Sequence, residues 1–493
     1  MNYISTRDTS AAPHAVSSAQ AIKQGLAPDR GLYMPETLPT LTRDDLTALA
    51  AMPYERRAAE ILSRFLTDYD KDALLADCAE AYSDARFPGG AAPLADIGGG
   101  IYSLELWHGP TCAFKDMALQ IMPRLLSRAL TMTGERRLAH ILVATSGDTG
   151  KAALEGYRDV PGVKITVFYP VDGVSPMQKR QMTTQLGENV SVCAVRGNFD
   201  DTQNGVKEIF SSDKLARRAA DAGFFFSSAN SINWGRLAPQ IVYYVSAYCD
   251  LVQRGVIRMG EEANVCVPTG NFGNIFAAYI ARSMGLPLGR LICASNSNCV
   301  LTDFVRTGVY DRTRPFYKTM SPSMDILISS NLERLLYLLG GSALTADCMA
   351  QLAACGKYTA PEALMEKLRG VFSAYCTTEA ETAATIRASF TNRGYLCDTH
   401  TAVGLHAAEQ YQKESGDTRP ILLASTASPY KFAADVASSL GVALPSDDPA
   451  AILRALSDAT GTPVPAPLLA TLTLPVRFTQ TVDPAEMPEV VFA

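Results

Sequence analysis

The stretch VCVPTGNFGNIFAAYIAR, Val265 to Arg282, runs from an unbroken apolar segment through two glycines three residues apart into small and apolar residues. An apolar run without polar alternation fits a strand buried on both faces, and the residues after Gly273 fit a helix. Free N–H groups at the helix start, with the helix dipole, favour an anion there. Gly270 and Gly273 let that anion come close to the backbone. A phosphate cradle is one reading and a tight turn without a ligand is the other. No Gly-Lys-Ser/Thr follows and the spacing is not GxGxxG, so nucleotide binding is not the natural inference. HILVATSGDTGKAALEGY, His140 to Tyr157, repeats the plan of strand, glycine loop and helix. Working outward, IYSLELW, KITVFYP, VSVCAV, FFFSS, RLICAS and ILLAST are strand-like and alternate with helical patterns, such as those from Met117 and from Gly150. That rhythm implies parallel βαβ units and an α/β fold.

At 493 residues the chain exceeds the size at which one core keeps growing, so two or three domains around a shared cleft are expected. Residues 1–98 read as a mainly helical segment, with helices over Arg43 to Ala51 and Tyr54 to Phe65 separated by Pro53. FPGGAAPLADIGGG, Phe87 to Gly100, is too rich in Gly and Pro for regular structure and marks a boundary or a hairpin-like link. Residues 99–235 then form a small α/β unit that includes the Lys115 strand. Residues 236–493 form a larger α/β unit, interrupted at about 302–396 by a helical insertion. Its clearest amphipathic stretch is SPSMDILISSNLERLLYLLG, Ser321 to Gly340.

A net charge of −6 with scattered basic residues gives no footprint for nucleic acid or an anionic membrane. The eleven cysteines include no CxxC and no metal-ligand cluster, and read as reduced thiols. MNYISTRDTSAAPH lacks the apolar core of a signal peptide, and no apolar run approaches a membrane span. A cytoplasmic enzyme without metal is the expectation.

Three constellations carry candidate chemistry. In ELWHGPTCAFKDMALQ, Glu105 to Gln120, Lys115 follows a Gly-Pro turn near a helix start, at the strand end where α/β folds open their clefts. Ala113 and Phe114 would help desolvate it, and a desolvated lysine has the lowered pKa that Schiff-base formation needs. A surface lysine paired with Asp116 fits the same residues. Cys112 is a nucleophile or, with no paired base in view, buried filler. In the second constellation, Thr145, Ser146, Asp148 and Thr149 set hydroxyl and carboxylate groups beside free backbone donors, suited to gripping a carboxylate or phosphate. Asp148 also fits a helix N-cap. The glycine loop after NVCVP is the third.

Together HGPTCAFKD, ATSGDTG, PTGNFGN and STASPYKF, with YISTR and GLYMP nearer the N-terminus, resemble the motifs of bacterial and fungal threonine synthases over nearly the whole chain. The resemblance implies the tryptophan-synthase β-type fold and pyridoxal 5'-phosphate on Lys115 as a Schiff base. It implies that Gly270, Asn271, Phe272, Gly273 and Asn274 hold the cofactor phosphate. It sets the Thr426 hydroxyl beside the pyridine nitrogen and Asp148, where related enzymes often carry Asn, near the ring oxygen. Thr145, Ser146, Gly147 and Thr149 are implied to contact the amino-acid moiety. SSANSINWGR offers Asn233 and Arg236 to the substrate phosphate, with a structural ion pair as the alternative for Arg236. His108 reads as a packed strand-end residue, leaving Lys115 to shuttle protons.

The implied activity converts O-phospho-L-homoserine and water to L-threonine and phosphate by γ-elimination and β-hydration. A domain spanning about 119–226 would close over the site. A monomer is implied, with a dimer as the alternative. The competing readings are another lyase of this fold, such as a serine or threonine dehydratase or a phospho-lyase that stops at elimination, and a binding protein that keeps the fold without catalysis.

Overall fold

The apolar strands of the sequence assemble into two sheets. The computed structural model describes residues 1–493 apart from Ser146, Asp172 and Gly173. One sheet has six strands in the order Phe372–Cys376, Leu288–Ser295, Ala263–Pro268, Ile421–Ser425, Ile101–Glu105 and Leu94–Asp96. All neighbours are parallel except the last pair. The other has five parallel strands in the order Thr481–Val482, Val190–Val195, Val163–Pro170, Leu138–Ala144 and Phe224–Ser227. Residues such as Val265, Val267, Ile165 and Val167 are fully buried, as strands covered on both faces by helices require.

The helix Trp234–Gln253 is buried along almost its whole length. Against it packs Tyr54–Phe65, whose Arg57 reaches Ser246 Oγ at 2.8 Å and Asp250 Oδ1 at 2.6 Å. The N-terminal segment carries, besides its helices, a small antiparallel sheet of Asn2–Ser5, Val16–Ser17 and Tyr33–Pro35. Tyr3 and Phe65 each set a ring 5.5 Å from that of Trp234, which anchors this segment on the core.

Several expectations need correction. The Phe87 to Gly100 run is not wholly irregular. Leu94–Asp96 folds back on Ile101–Glu105 through Gly98, Gly99 and Gly100, all at positive φ, so the glycines make the hairpin rather than break the sheet. The insertion is not wholly helical, because Phe372–Cys376 supplies the edge strand of the larger sheet. Within SPSMDILISSNLERLLYLLG the α-helix begins only at Leu332; Ser321 to Asn331 holds one 3₁₀ turn, Pro322–Met324, and otherwise irregular chain. Side chains satisfy that segment: Asn296 Nδ2 binds Asp325 Oδ1 at 2.8 Å, and Ser323 N–H donates to His400 Nε2 at 3.1 Å. The helix Leu332–Cys355 is long and apolar enough to cross a membrane by length and composition. Here it bends at Gly341 (φ 80°) and seats Glu333 against Arg7 at 2.7 Å. Two of the cysteines, Cys299 and Cys376, are joined as a disulfide, and the other nine are free thiols.

The helix Asp148–Tyr157 packs on the short helix Asp116–Leu119 so closely that a Cβ on Gly156 would stand 2.0 Å from the Leu119 carbonyl oxygen. Replacing Gly156→Ala must push the two helices apart. The expected cost is about 1–3 kcal/mol of unfolding free energy, read as a lower denaturation midpoint in urea.

Candidate active site

Lys115 reaches its place through a loop stitched to the strand beside it. Leu106 N–H donates to Ser425 O at 2.9 Å, Phe114 N–H to Thr426 O at 2.8 Å and Ser428 N–H to Cys112 O at 3.0 Å. Trp107 Nε1 adds a bond to Ser425 Oγ at 3.1 Å. Lys115 therefore sits at the C-terminal ends of two adjacent parallel strands, next to Thr426, and the Thr426 hydroxyl makes no hydrogen bond among the described residues.

The surface ion pair with Asp116 does not form. Asp116 turns back on its own loop, accepting from Thr111 N–H at 2.8 Å and Thr111 Oγ1 at 2.7 Å, and burial pushes its pKa up to about 6. Lys115 Nζ lies 4.9 Å from the Phe114 ring centroid and has no hydrogen-bond or ion-pair partner among the described residues. Desolvation lowers its pKa to about 8; Asp148 works against that shift, while Arg236 and Lys431 add to it. At neutral pH roughly a tenth of the amine is uncharged, far more than for a free lysine.

The glycine loop has the form of an anion cradle. Phe272 takes the left-handed conformation (φ 63°) at the start of the helix Gly273–Ser283 and caps nothing. The loop's carbonyls are held from behind. Ser329 Oγ donates to Gly270 O at 2.7 Å, and Asn331 N–H and Nδ2 donate to Asn271 O at 3.1 and 3.0 Å. Among the described residues the N–H groups of Gly270, Asn271 and Phe272 have no acceptor. Asn274 is buried with its Oδ1 against the hydroxyls of Tyr243, at 2.8 Å, and Tyr244, which leaves its Nδ2 a donor with no partner. A phosphate supplies the acceptors these donors lack, so the residues present fit one. The Ser321 to Asn331 segment closes over the cradle: a Cβ on Gly270 would come within 3.0 Å of Ser323 O.

At the other loop, Thr145 Oγ1 accepts from Gly147 and Gly150 N–H, both at 2.9 Å, and so shapes the turn. Gly147 is held at φ 141°, where a Cβ would strike the Gln178 side chain. Thr149 stands in the first turn of the helix with its hydroxyl unbonded among the described residues, and Ser146 lies outside the described residues. Asp148 is not the N-cap; Gly147 occupies that position. The Asp148 carboxylate instead meets Lys431 Nζ at 2.9 Å and Gln178 Nε2 at 2.9 Å, with Ser323 Oγ at 3.4 Å.

Arg236 has no carboxylate partner among the described residues. It is buried, one Nη donates to Ala229 O, its Nε is unpartnered, and burial lowers its pKa to about 10. A buried guanidinium without a carboxylate partner among the described residues, close enough to influence Lys115, has the chemistry to accept an anion. Asn233 has a structural role, because its Oδ1 caps the helix through Gly235 N–H at 2.9 Å and its Nδ2 donates to Ile22 O at 2.8 Å. His108 pairs with Glu105 at 2.8 Å and stacks on Trp107. Burial pushes the Cys112 thiol up to about 12, and it is packing material.

The sequence reading missed Lys431, Gln178, Gln181 and Ser323. Lys431 stood in the quoted STASPYKF motif, where a lone lysine among apolar residues was the available signal. Gln178 sits in the capping box Ser175 to Gln178, a pattern that marks a helix start rather than a site, and Gln181 and Ser323 have no local pattern. A separate charged groove of 740 Å³ lies beyond the Gly156 helix; three of its arginines, Arg124, Arg128 and Arg158, are paired with Glu80, Asp77 and Glu155, and the fourth, Arg86, donates to Gln120 Oε1.

Comparison with known proteins agrees with this geometry. Residues 2–82 match the family described as Threonine synthase N terminus, residues 90–426 Pyridoxal-phosphate dependent enzyme, and residues 401–490 Threonine synthase, C-terminal. Threonine synthase of Pseudomonas aeruginosa is 40% identical over 438 residues, covering 88% of this chain and 89% of that one. Human Threonine synthase-like 1 is 40% identical over 86% of this chain, which spans only 58% of that longer protein. The crystal structure of threonine synthase from Brucella melitensis with pyridoxal phosphate bound superposes with a TM-score of 0.87 at 35% identity, covering 100% of this chain and 98% of that one. The chain belongs to the threonine synthase family of pyridoxal-phosphate-dependent enzymes.

Proposed function

We propose that the protein is a threonine synthase that converts O-phospho-L-homoserine and water to L-threonine and phosphate, with pyridoxal 5'-phosphate carried on Lys115. The observation that carries the cofactor assignment is the unpaired Lys115 amine, with its pKa lowered to about 8, in a cleft shared with a donor cradle that lacks an acceptor. Bound there, the cofactor supplies an electron sink for charge developing on substrate carbon. In this reading Gly270, Asn271, Phe272, Gly273 and Asn274 hold its phosphate, and the Thr426 hydroxyl stands beside its ring nitrogen.

The chain's own groups do the rest. Lys115 Nζ, uncharged in part at neutral pH, takes the proton from the substrate α-carbon and returns protons later. Thr149, with Ser146, orients the amino-acid end through hydroxyl donors, and Gly147, its N–H held by Thr145, lets that end approach the loop closely. Arg236 holds the substrate phosphate until it leaves. The segment of about 119–226, built on the five-stranded sheet, closes to exclude water until the hydration step. The enzyme works in the cytoplasm on a small molecule, as a monomer, without nucleic acid or a membrane.

The assay follows both products from O-phosphohomoserine. Equal release of phosphate and threonine is expected, whereas phosphate with 2-oxobutyrate and no threonine would sink the synthase reading in favour of a lyase that stops at elimination. The variant Lys115→Ala should lose the visible absorbance of covalently held pyridoxal phosphate and reduce turnover by several orders of magnitude. Arg236→Gln removes a charged hydrogen-bond donor worth about 1.5–3 kcal/mol, so KM for O-phosphohomoserine should rise about ten- to a hundredfold while cofactor absorbance is retained.

A further inference from the structure

Lys431 is a fully enclosed ammonium that the mechanism above does not use. Its three donors are matched to three acceptors: Asp148 Oδ1 at 2.9 Å, Thr111 O at 3.0 Å and Gln181 Oε1 at 3.0 Å. Asp148 thus stands near two lysines, Lys431 in direct contact and Lys115 close enough for each to shift the other. We propose that Lys431 is a positioning residue for Lys115: by holding the Asp148 carboxylate in a buried pair, it keeps that charge from engaging the Lys115 amine, which is left free to bond the cofactor. The proposal rests on the reading that Lys115 carries pyridoxal phosphate.

Charge accounting supports it. The groups that influence Lys115 are the carboxylate of Asp148 and the cations Arg236 and Lys431. Those charged groups that feel Lys431 include Asp148, Asp116 and Lys151. Asp116 is occupied by Thr111, and Lys151 faces Glu155 at 3.3 Å and Gln185. Among the described residues Asp148 is therefore the carboxylate that acts on Lys115, and Lys431 with Gln178 decides where its charge is directed. Lys431 also grips Thr111, the residue that fixes Asp116 next to Lys115, so one ammonium ties the glycine loop to the lysine loop. In a buried setting, removing one member of such a pair leaves the other charge seeking a new partner, and Lys115 is the available cation.

The test reads the Lys115 amine directly and uses no substrate. The full-length protein, stripped of cofactor, is mixed with pyridoxal phosphate at pH 6 to 10, and its capture is followed by absorbance. The rate should rise with pH as Lys115 loses its proton. In Lys431→Met the midpoint should move up by about one pH unit, slowing capture about tenfold at pH 7. Asp148→Asn should move it down, Lys431→Arg should leave it in place, and the double variant Asp148→Asn/Lys431→Met should return close to wild type. A structural role alone predicts lost stability with no ordered shift and no recovery in the double variant. An unmoved midpoint in Lys431→Met overturns the proposal; if that variant does not fold, an unmoved or raised midpoint in Asp148→Asn does so. A wild-type protein that captures no pyridoxal phosphate overturns the Lys115 reading and this proposal with it, an outcome distinct from normal capture with unmoved variants.

Discussion

The parallel ladder between Ile101–Glu105 and Ile421–Ser425 joins segments more than three hundred residues apart, in a register from Ile421 opposite Ile101 to Ser425 opposite Glu105. Because the strands end together, the chain that leaves each must emerge at one edge. The loop to Lys115 continues the contact through Phe114 N–H to Thr426 O and the bridge between Ala113 and Ala427. The amine and the Thr426 hydroxyl are thus placed by backbone hydrogen bonds inside a rigid sheet, the kind of support a reacting group needs. Next along the sheet, Ala263–Pro268 delivers the glycine cradle to the same edge.

Burial at this edge has opposite effects on its charged groups, and the pairing decides which effect wins. Desolvation lowers Lys115 and Arg236, neither of which has a carboxylate in contact among the described residues. Desolvation acts to raise Asp148 as well, yet Lys431 and Lys115 hold its carboxyl at about 2, well below the usual range. A buried charge that is paired stays charged, and one that is not paired moves toward neutrality. Cofactor chemistry wants a neutral amine and substrate binding wants a cation. The lowered Lys115 suits the first need and Arg236 the second, because a guanidinium starts so far above neutral pH that even a fall to about 10 leaves it protonated.

Much of this was legible in the sequence. The strands at HILVAT, KITVFYP, VSVCAV, NVCVP and ILLAST, and the helix Tyr54–Phe65 behind Pro53, follow from local apolar pattern and turn chemistry, and the structure has them where the pattern puts them. Less legible was Ser321 to Asn331, whose apolar spacing mimics a helix. The segment is instead held by Asn296, which donates to Ser321 O and Oγ and to Asp325 Oδ1, and by His400, which accepts from Ser323 N–H, both remote from it in sequence. The cap role of Asn233 was illegible for a related reason, since a polar residue before a helix serves the cap and the docked Ile22 as readily as a ligand.

The sequence by itself determined the order of strands, glycine loops and helices, and with it the presence of one lysine and two anion-suited turns, because these depend on residues within a few positions of one another. Only the tertiary structure decided that Asp116 is taken by Thr111, that Lys115 and Arg236 have no carboxylate partner among the described residues, and that Asp148 answers to Lys431. Those outcomes depend on distance and desolvation between groups brought together by the fold, such as Asp148 and Lys431 at 2.9 Å across 283 positions of chain. No local pattern encodes an interaction whose strength is set by the medium between two remote charges.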